Sequence, residues 1–224
     1  MGKTILTPKQ HKFLELAEKE PQITKRFYLT GGTVLSEFYL QHRLSEDLDL
    51  FSEEEVKPGM VEAFLQKIAP RLRVIKIVKE QYLGLFSYKL FYSPIKYLKI
   101  DFNYYPFLRV EKGKNFGNFE VSSIYDIAVN KIHTIAMRTN ARDFVDIYFI
   151  FNETEYNNLE RIRIDSQAKF DWPLEPKNLV SQFVRVKDLC NKDFPKMLKP
   201  FVRKKMEEFF LRLAKSLEGE IFTE

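Results

Sequence analysis

The sequence predicts an α+β protein, in which a mixed β-sheet core with flanking helices precedes a mainly helical carboxy-terminal lobe. Up to about residue 121, apolar runs typical of strands alternate with segments of helical periodicity. From about residue 122 onward the patterns are mostly helical. Since no internal repeat, low-complexity tract or Gly/Ser-rich linker separates the two parts, we expect two packed lobes of one unit, residues 1–121 and 122–224.

The bulk composition indicates a globular protein and excludes some classes. With 224 residues, 45% of them hydrophobic, the chain can build a sizeable core. A net charge of +5 is compatible with a polyanionic partner, but 36 basic and 31 acidic residues also describe an ordinary mixed surface. Cys190 is the only cysteine, which rules out an intrachain disulfide and a Cys-based zinc site. Without a signal-peptide or membrane-spanning pattern, we expect a cytoplasmic, soluble protein with no membrane partner.

The first predicted elements surround a pair of glycines. Pro8 begins a short helix that ends before Pro21, and residues 27–29 form a short apolar strand. Gly31 and Gly32 then break that strand, and apolar residues recur afterwards at helical spacing. The order is therefore strand, glycine turn, helix.

The next patterns predict a sheet followed by helices. Strands are expected at 48–51, 74–78, 83–92 and 97–105, with a helix from Pro58, and later helices at 123–138, 142–151, 178–189 and 201–217. In the last strand Leu98, Ile100 and Phe102 alternate with polar residues, so Asp101 lies on the polar face. The predicted sheet thus has one buried face and one face open to solvent or a cleft.

Two aspartates in one strand are the first candidate site. Residues two apart on a strand point to the same face, so Asp47 and Asp49 present both carboxylates together. The pair repels itself unless a cation neutralises it, and Mg²⁺ beside substrate phosphates suits such a pair. The alternative is a solvated strand end that runs into the acidic turn at 52–55.

Neighbouring residues favour phosphate binding. A Gly-Gly turn at Gly31 and Gly32 exposes backbone N–H groups and a helix amino terminus to phosphate oxygens. Arg43 can hold a phosphate or pair with Asp47 or Asp49, and Ser45 can donate to a phosphate or shape the turn. Asp101 can complete a magnesium site or act as a general base, although a lone strand aspartate is more often a surface residue.

Charged residues in two later helices form a second candidate group. Lys131 interrupts an apolar stripe, so its ammonium needs an anionic partner, either a nucleotide phosphate or a carboxylate such as Asp143 or Asp146. Arg142, Asp143 and Asp146 lie three or four positions apart, and a helix would group them on one surface, where local ion pairs are the alternative to a site.

Together these motifs resemble a known family. The stretch Gly31-Gly32-Thr33-x-Leu35, followed by His42-Arg43-x-Ser45-x-Asp47-Leu48-Asp49-Leu50-Phe51 and Lys99-Ile100-Asp101-Phe102, is similar to the AbiEii/AbiGii toxin family of the DNA polymerase β-like nucleotidyltransferase superfamily. Ile124-Tyr125-Asp126-Ile127-Ala128-x-x-Lys131-Ile132-x-x-Ile135-Ala136 and Arg142-Asp143-x-x-Asp146-Ile147-Tyr148 extend the resemblance to about residue 150. The order of the pieces is more specific than any one of them.

The resemblance implies a nucleotidyltransferase fold and an active site in the cleft between the lobes. Asp47, Asp49 and Asp101 would be catalytic and hold two Mg²⁺ ions. Gly31, Gly32, Thr33, Arg43, Ser45, Lys131, Arg142, Asp143 and Asp146 would bind the nucleoside triphosphate. It further implies an acceptor such as a tRNA 3′ end or a protein hydroxyl, and a toxin with a cognate antitoxin in phage abortive infection.

Two other functions use the same residues. A catalytically inactive relative would bind nucleotide or RNA, but it would be expected to have lost a carboxylate, and all three are present. A metal-dependent phosphoesterase would also use clustered carboxylates. The Gly-Gly turn before Asp47 and Asp49 favours triphosphate binding over it.

Overall fold

The computed structural model describes residues 4–221 and divides the chain into two compact units. The first contains residues up to Phe38 together with Ser45–Leu108 and Lys112–Ser123. The second contains Tyr39–Leu44, Arg109–Glu111 and the chain from Ile124 onward. Residues Tyr39–Leu44 thus belong by their contacts to the helical unit, although they precede the first aspartates in the chain. The expected boundary near residue 121 stays a prediction.

The first unit begins with helices α1 (Pro8–Ala17) and α2 (Pro21–Thr24), strand β1 (Tyr28–Thr30) and helix α3 (Gly31–Val34). Thr7 caps α1 in a reciprocal arrangement with Gln10, which together with Pro8 at the first turn explains where the helix starts. A π-helical segment, Leu35–Leu40, follows α3. The predicted order of strand, glycine turn and helix is confirmed.

The remaining elements of this unit are strand β2 (Asp47–Ser52), helix α4 (Pro58–Ile68), and strands β3 (Lys76–Tyr82), β4 (Leu85–Phe91) and β5 (Tyr97–Tyr104). A small hairpin, β6 (Asn115–Phe116) and β7 (Phe119–Glu120), comes last. The predicted strand at 83–92 was too long at its start, because Leu83 adopts a positive φ of 49° in the tight turn with Gly84. The edge strand β3 lies later than predicted because it is mostly exposed and has few apolar residues to mark it.

These strands form a mixed five-stranded sheet in the order β1-β2-β5-β4-β3. β2 and β5 are parallel, and every other neighbouring pair is antiparallel. One face is apolar: Leu48 and Leu50 of β2 and Ile100 and Phe102 of β5 are almost fully buried. Alternation along each strand leaves the aspartates of β2 and β5 on the opposite face.

The second unit contains helices α5 (Ile124–Met137), α6 (Ala141–Glu153), α7 (Leu159–Phe170), α8 (Pro176–Val184) and α9 (Arg203–Ile221). Phe210 of α9 packs against Phe144 of α6 and Phe183 of α8, so aromatic contacts join three helices. The predicted helices are confirmed, whereas α7 was not predicted, because only a few of its residues are apolar between many charges.

The segment Tyr39–Leu44 is fastened inside the helical unit by backbone hydrogen bonds. The Leu44 amide donates to the Lys196 carbonyl and the Leu198 amide donates to the His42 carbonyl, both at 2.8 Å. Arg43 pairs with Met197 as an isolated antiparallel bridge. His42 and Arg43 therefore enter the interior of this unit in a fixed register.

Candidate active site

Strand register assembles a four-residue charged array on the polar face of the sheet. In the parallel pair of β2 and β5, Asp47 lies opposite Lys99 and Asp49 lies opposite Asp101. Residues directly opposite each other, and residues two apart on one strand, share a face. Three carboxylates and one ammonium group thus share one face, where the sequence motif on β2 lies beside the one on β5.

Lys99 bridges the two strands. Its Nζ lies 2.6 Å from Oδ2 of Asp101 and 3.6 Å from Oδ2 of Asp47. Burial of the ammonium, the largest effect, opposes its charge, but the hydrogen bond from Lys99 to Asp101 and the attraction of all three aspartates raise the pKa of Lys99. Lys99 is therefore a protonated cation within the array.

The glycine turn closes on Asp49. Gly31 has a φ of +78°, which favours glycine, and a Cβ at Gly31 would lie only 2.0 Å from Oδ2 of Asp49. Thr33 donates a hydrogen bond from its hydroxyl to the backbone carbonyl of Asp47. The turn at Gly31, Gly32 and Thr33 in α3 thus lies directly against the aspartates of β2.

The donor set of the array has the chemistry of a site for a hard divalent cation. Oxygen ligands, carboxylates above all, are what Mg²⁺ prefers. Asp101 is 8% exposed, and its Oδ1 is buried and accepts no hydrogen bond from the described residues. Within residues 4–221, however, no three His, Cys, Asp or Glu side chains converge as a metal site. The carboxylates fit a metal in their chemistry, and the Lys99 ammonium lies between two of them.

A cavity of about 350 Å³ opens beside this array. Asp47 and Lys99 form part of its wall, and two tyrosines and two further lysines are among the other lining residues, which also include a second carboxylate: Tyr92, Tyr97, Lys9, Lys96 and Glu46. The Lys9 ammonium lies 4.8 Å from the centre of the Tyr92 ring, and Tyr97 is partly exposed. Aromatic faces next to cationic groups are the combination that binds nucleobases and phosphates.

The helical unit contains a separate buried ion network centred on Asp146. Arg43 binds it with two nitrogens, Nε at 2.6 Å from Oδ1 and Nη2 at 2.8 Å from Oδ2. Lys131 lies 2.8 Å from Oδ2 of Asp146 and 2.5 Å from Oδ1 of Asp143. Nε2 of His42 lies 2.8 Å from Oδ1 of Asp146. The sequence left a nucleotide phosphate and a carboxylate open as partners of Lys131. The structure shows that Lys131 pairs with carboxylates.

Charge and burial determine the protonation states of this network. Burial alone would raise the pKa of Asp146, but the charges of Lys131 and Arg43 and the hydrogen bonds from Arg43 and His42 hold it well below its ordinary value. Burial, the largest effect, lowers the pKa of His42 in spite of its bond with Asp146. The carboxylate is therefore ionised and the imidazole neutral at pH 7.

The structure gives the other predicted residues different surroundings. Arg43 is 2% exposed and pairs with Asp146, a partner that the sequence did not suggest. Arg142 is exposed and does not share the buried face of Asp143 and Asp146, so the expected grouping of all three on one surface is wrong. Ser45 lies in the loop before β2, where its backbone carbonyl accepts a hydrogen bond from Gln10. Nucleotide binding by these residues stays a prediction.

Two residues of these clusters were not predicted as site residues. Lys99 lies two positions before Asp101, and the period of two places both on one strand face, so the sequence contained the pattern that could have identified it. Nothing local in the sequence indicates that His42 lies within 2.8 Å of Asp146, because that contact joins segments 104 positions apart.

Comparison with known structures identifies the class of the fold. The chain is similar to JHP933 from Helicobacter pylori, with a TM-score of 0.58 and 18% identity over 95% of this chain and 90% of that one. It is also similar to MenT4, a nucleotidyltransferase toxin from Mycobacterium tuberculosis H37Rv, with a TM-score of 0.53 and 12% identity over 95% and 86% of the two chains. The fold is that of a nucleotidyltransferase, as predicted.

The sequence then identifies the family. Residues 15–215 match the family model described as the nucleotidyl transferase AbiEii toxin of type IV toxin–antitoxin systems. The chain therefore belongs to the AbiEii family of nucleotidyltransferase toxins, as the motifs predicted. It is also 28% identical, over 195 residues, to an uncharacterized protein of Aquifex aeolicus (strain VF5), a match that covers 86% of this chain and 88% of that one.

None of the helices within residues 4–221 combines the length and the hydropathy that a membrane crossing would need.

Proposed function

We propose that the protein transfers a nucleoside monophosphate from a nucleoside triphosphate to an acceptor hydroxyl, with Asp47, Asp49 and Asp101 as the catalytic carboxylates. The observation that supports this best is the strand register, which aligns Asp49 with Asp101 directly beside the glycine turn. Family membership supports the class of reaction. The substrate and the acceptor are the new parts of the proposal.

The chain's own groups suit each part of this reaction. Backbone N–H groups at Gly31 and Gly32 offer donors to phosphate oxygens at the amino terminus of α3. Mg²⁺ ions held by the three aspartates would neutralise the triphosphate and lower the barrier to displacement at the α-phosphorus. Asp101, whose Oδ1 accepts no hydrogen bond from the residues that the structure describes, would accept the proton of the acceptor hydroxyl. The acceptor oxygen forms the new bond to the α-phosphorus, and pyrophosphate leaves.

For the acceptor, we propose an RNA 3′ end such as that of a tRNA, rather than a protein. The cavity beside Asp47 supports this choice, because a nucleobase can stack on a partly exposed tyrosine while lysines neutralise the phosphate before it. A peptide hydroxyl would not require that combination. Lys96, which lines the cavity and is exposed, is the candidate phosphate ligand.

Residues of the helical unit have two kinds of role in the proposal. Arg142 is exposed on α6 and offers a guanidinium group to a phosphate. Lys131, Asp143, Asp146 and Arg43 are largely buried around one another, and they support nucleotide binding by fixing the local structure. Membership of a toxin family also supports a cytoplasmic site of action and a cognate antitoxin as a partner.

A transfer assay tests the proposal. The purified protein is incubated with total RNA, Mg²⁺ and each α-labelled nucleoside triphosphate in turn, next to Asp49→Ala and the matched variant Glu55→Gln, which changes an exposed carboxylate outside the array. We expect label on RNA and equimolar pyrophosphate with the parent and Glu55→Gln. With Asp49→Ala the rate should fall by about 100-fold or more, because a carboxylate at the reacting centre is lost.

Other outcomes of this assay would replace the proposal. Release of nucleoside monophosphate without labelled RNA would identify a phosphoesterase. Triphosphate binding without any turnover would identify a binding module, and label on protein in a cell extract, but not on RNA, would overturn the choice of acceptor.

A further inference from the structure

One cation of the charged array is supplied by the protein itself. Lys99 Nζ lies 2.6 Å from Asp101 and 3.6 Å from Asp47, and its side chain is only 27% exposed. This arrangement follows from the parallel register, which places Lys99 opposite Asp47 while Asp101 follows two residues later on the same face. The ammonium therefore neutralises carboxylates that would otherwise repel one another.

The same carboxylates are the proposed ligands of the divalent cation. Mg²⁺ binds carboxylate oxygens at about 2.0–2.1 Å and requires near-octahedral geometry around it. An ammonium group that already contacts Oδ2 of Asp101 occupies part of that coordination space, and its positive charge repels the incoming ion. Lys99 and a metal ion would therefore compete for Asp101 and Asp47.

There is space next to Lys99 into which its side chain could turn. Its side chain forms part of the wall of the cavity beside Asp47. A four-carbon stem with flexible torsions can turn from the carboxylates into this space once the hydrogen bond to Asp101 is broken. There the ammonium would meet anionic phosphate if a nucleotide or nucleic acid were bound.

From these contacts we propose that Lys99 is a built-in counterion that holds the carboxylate array closed to divalent cations and is displaced when the metal binds. The inference rests on the proposed function, since it takes Asp47, Asp49 and Asp101 as the metal ligands. It assigns Lys99 a role in setting metal affinity: the residue weakens metal binding to the protein alone. Phosphates that attract the displaced ammonium then favour metal and nucleotide binding together.

Direct metal binding in the absence of nucleotide tests this. Mn²⁺ is titrated into the full chain and free Mn²⁺ is followed by electron paramagnetic resonance, for the parent, Lys99→Met and Lys99→Arg. We expect Lys99→Met to bind Mn²⁺ more tightly than the parent, on the order of 10-fold or more. The reason is that no charge-assisted hydrogen bond from Lys99 to Asp101 has to be broken before the ion binds. Lys99→Arg keeps the charge and should bind as weakly as the parent.

A matched control separates the carboxylate contact from general charge. Lys96→Met removes an ammonium from the same cavity wall, at an exposed residue that bonds to Tyr92 and Ser93 through its backbone. It should leave Mn²⁺ affinity within about twofold of the parent, because exposed charges interact weakly through water.

Loss of Lys99 also leaves the three carboxylates without their ammonium, so the apo Lys99→Met protein should melt at a lower temperature than the parent. Mn²⁺ or Ca²⁺ should raise its melting temperature by more than that of the parent. Lys99→Gln, which is polar and close in size, provides the same comparison if Lys99→Met does not fold without metal.

The outcomes distinguish the inference from the function on which it rests. Equal or weaker Mn²⁺ binding by Lys99→Met and Lys99→Gln would overturn the role of Lys99 and leave the metal site intact. Absence of saturable Mn²⁺ binding by the parent and all variants would overturn the metal site, and the counterion role with it.

Discussion

At the scale of single residues, Gly31 shows how closely the backbone and the aspartates are fitted. Its φ of +78° lies in the left-handed region, and the space where a Cβ would be is filled by the carboxylate of Asp49. Any side chain at this position must therefore strain the backbone and displace a proposed metal ligand. The glycine is required by geometry on both counts.

We expect Gly31→Ala to lower the free energy of unfolding by about 2 kcal/mol or more, since a left-handed conformation alone costs about 1–2 kcal/mol for a non-glycine residue. Nucleotidyl transfer should fall with it because Asp49 is pushed aside. Urea denaturation and the RNA-labelling assay measure the two effects. Gly59→Ala in α4 is the control, since a Cβ there meets nothing within 4 Å and alanine favours a helix. A Gly31→Ala protein as stable and active as Gly59→Ala would show that the turn tolerates a side chain.

At the scale of secondary-structure elements, the Asp146 network fastens the segment Tyr39–Leu44 to α5 and α6. Arg43 comes from that segment, Lys131 from α5, and Asp146 from α6. Arg43 is buried and Lys131 is largely buried, so each would be costly to leave without an anion. The network therefore acts as a polar clamp among three parts of the helical unit.

We expect Asp146→Asn to destabilise the protein by about 3–5 kcal/mol, the usual cost of removing one partner from a buried ion pair. Arg142→Met on the same helix should change stability by no more than about 0.5 kcal/mol, since that side chain is exposed. Chemical denaturation of both variants, followed by circular dichroism, makes the comparison. Equal stability of the two variants would mean that solvent or local rearrangement replaces the carboxylate.

At the scale of the whole molecule, the buried network makes stability depend on pH. Burial lowers the pKa of His42 in the folded protein, where Asp146, Arg43 and Lys131 surround it. An unfolded chain protonates this imidazole below about pH 6.5, so the unfolded state binds the extra proton and stability falls as the pH falls. Asp146, whose pKa is held well below its ordinary value by Lys131 and Arg43 against the effect of burial, adds a second loss below about pH 4.

We therefore expect the free energy of unfolding to fall by up to about 2 kcal/mol between pH 8 and pH 5 through His42 alone, from 2.3RT per pH unit below 6.5. Urea denaturation at both pH values measures this loss. His42→Gln, which retains an N–H group for Asp146, should reduce the loss by that amount, whereas His11→Gln at an exposed position should not. An unchanged pH dependence in His42→Gln would assign the effect to other groups.

The opposite sign holds for Lys131. Burial would lower the pKa of Lys131, but the charges of Asp146 and Asp143 outweigh it and raise the value. Its contribution to stability is complete below its ordinary pKa of about 10.4 and is lost only as the pH rises through the raised value. The polar clamp is therefore intact around neutral pH. It weakens at acidic pH through His42 and Asp146 and at strongly alkaline pH through Lys131.

Much of the fold was predictable because patterns of neighbouring residues in the sequence determine many of its elements. The alternation from residue 98 to 103 identified β5 and placed Asp101 on its polar face, and Pro8 and Pro58 marked the starts of α1 and α4. The exposed strand β3 and the charge-rich helix α7 were misplaced or missed, because neither has a continuous apolar stripe. The periodicity of apolar residues indicates which residues are buried, so it predicts an element poorly when few residues of that element are buried.

The sequence alone determined the family, the glycine turn and the two aspartate motifs, because each depends on residues a few positions apart. The tertiary structure alone decided that β2 pairs in parallel with β5, so that Lys99 faces Asp47, and that Arg43 binds Asp146, 103 positions away. The physical reason is that strand register and buried ion pairing minimise the free energy of the whole packed chain. Many distant carboxylates could satisfy a buried cation, and only packing selects one of them.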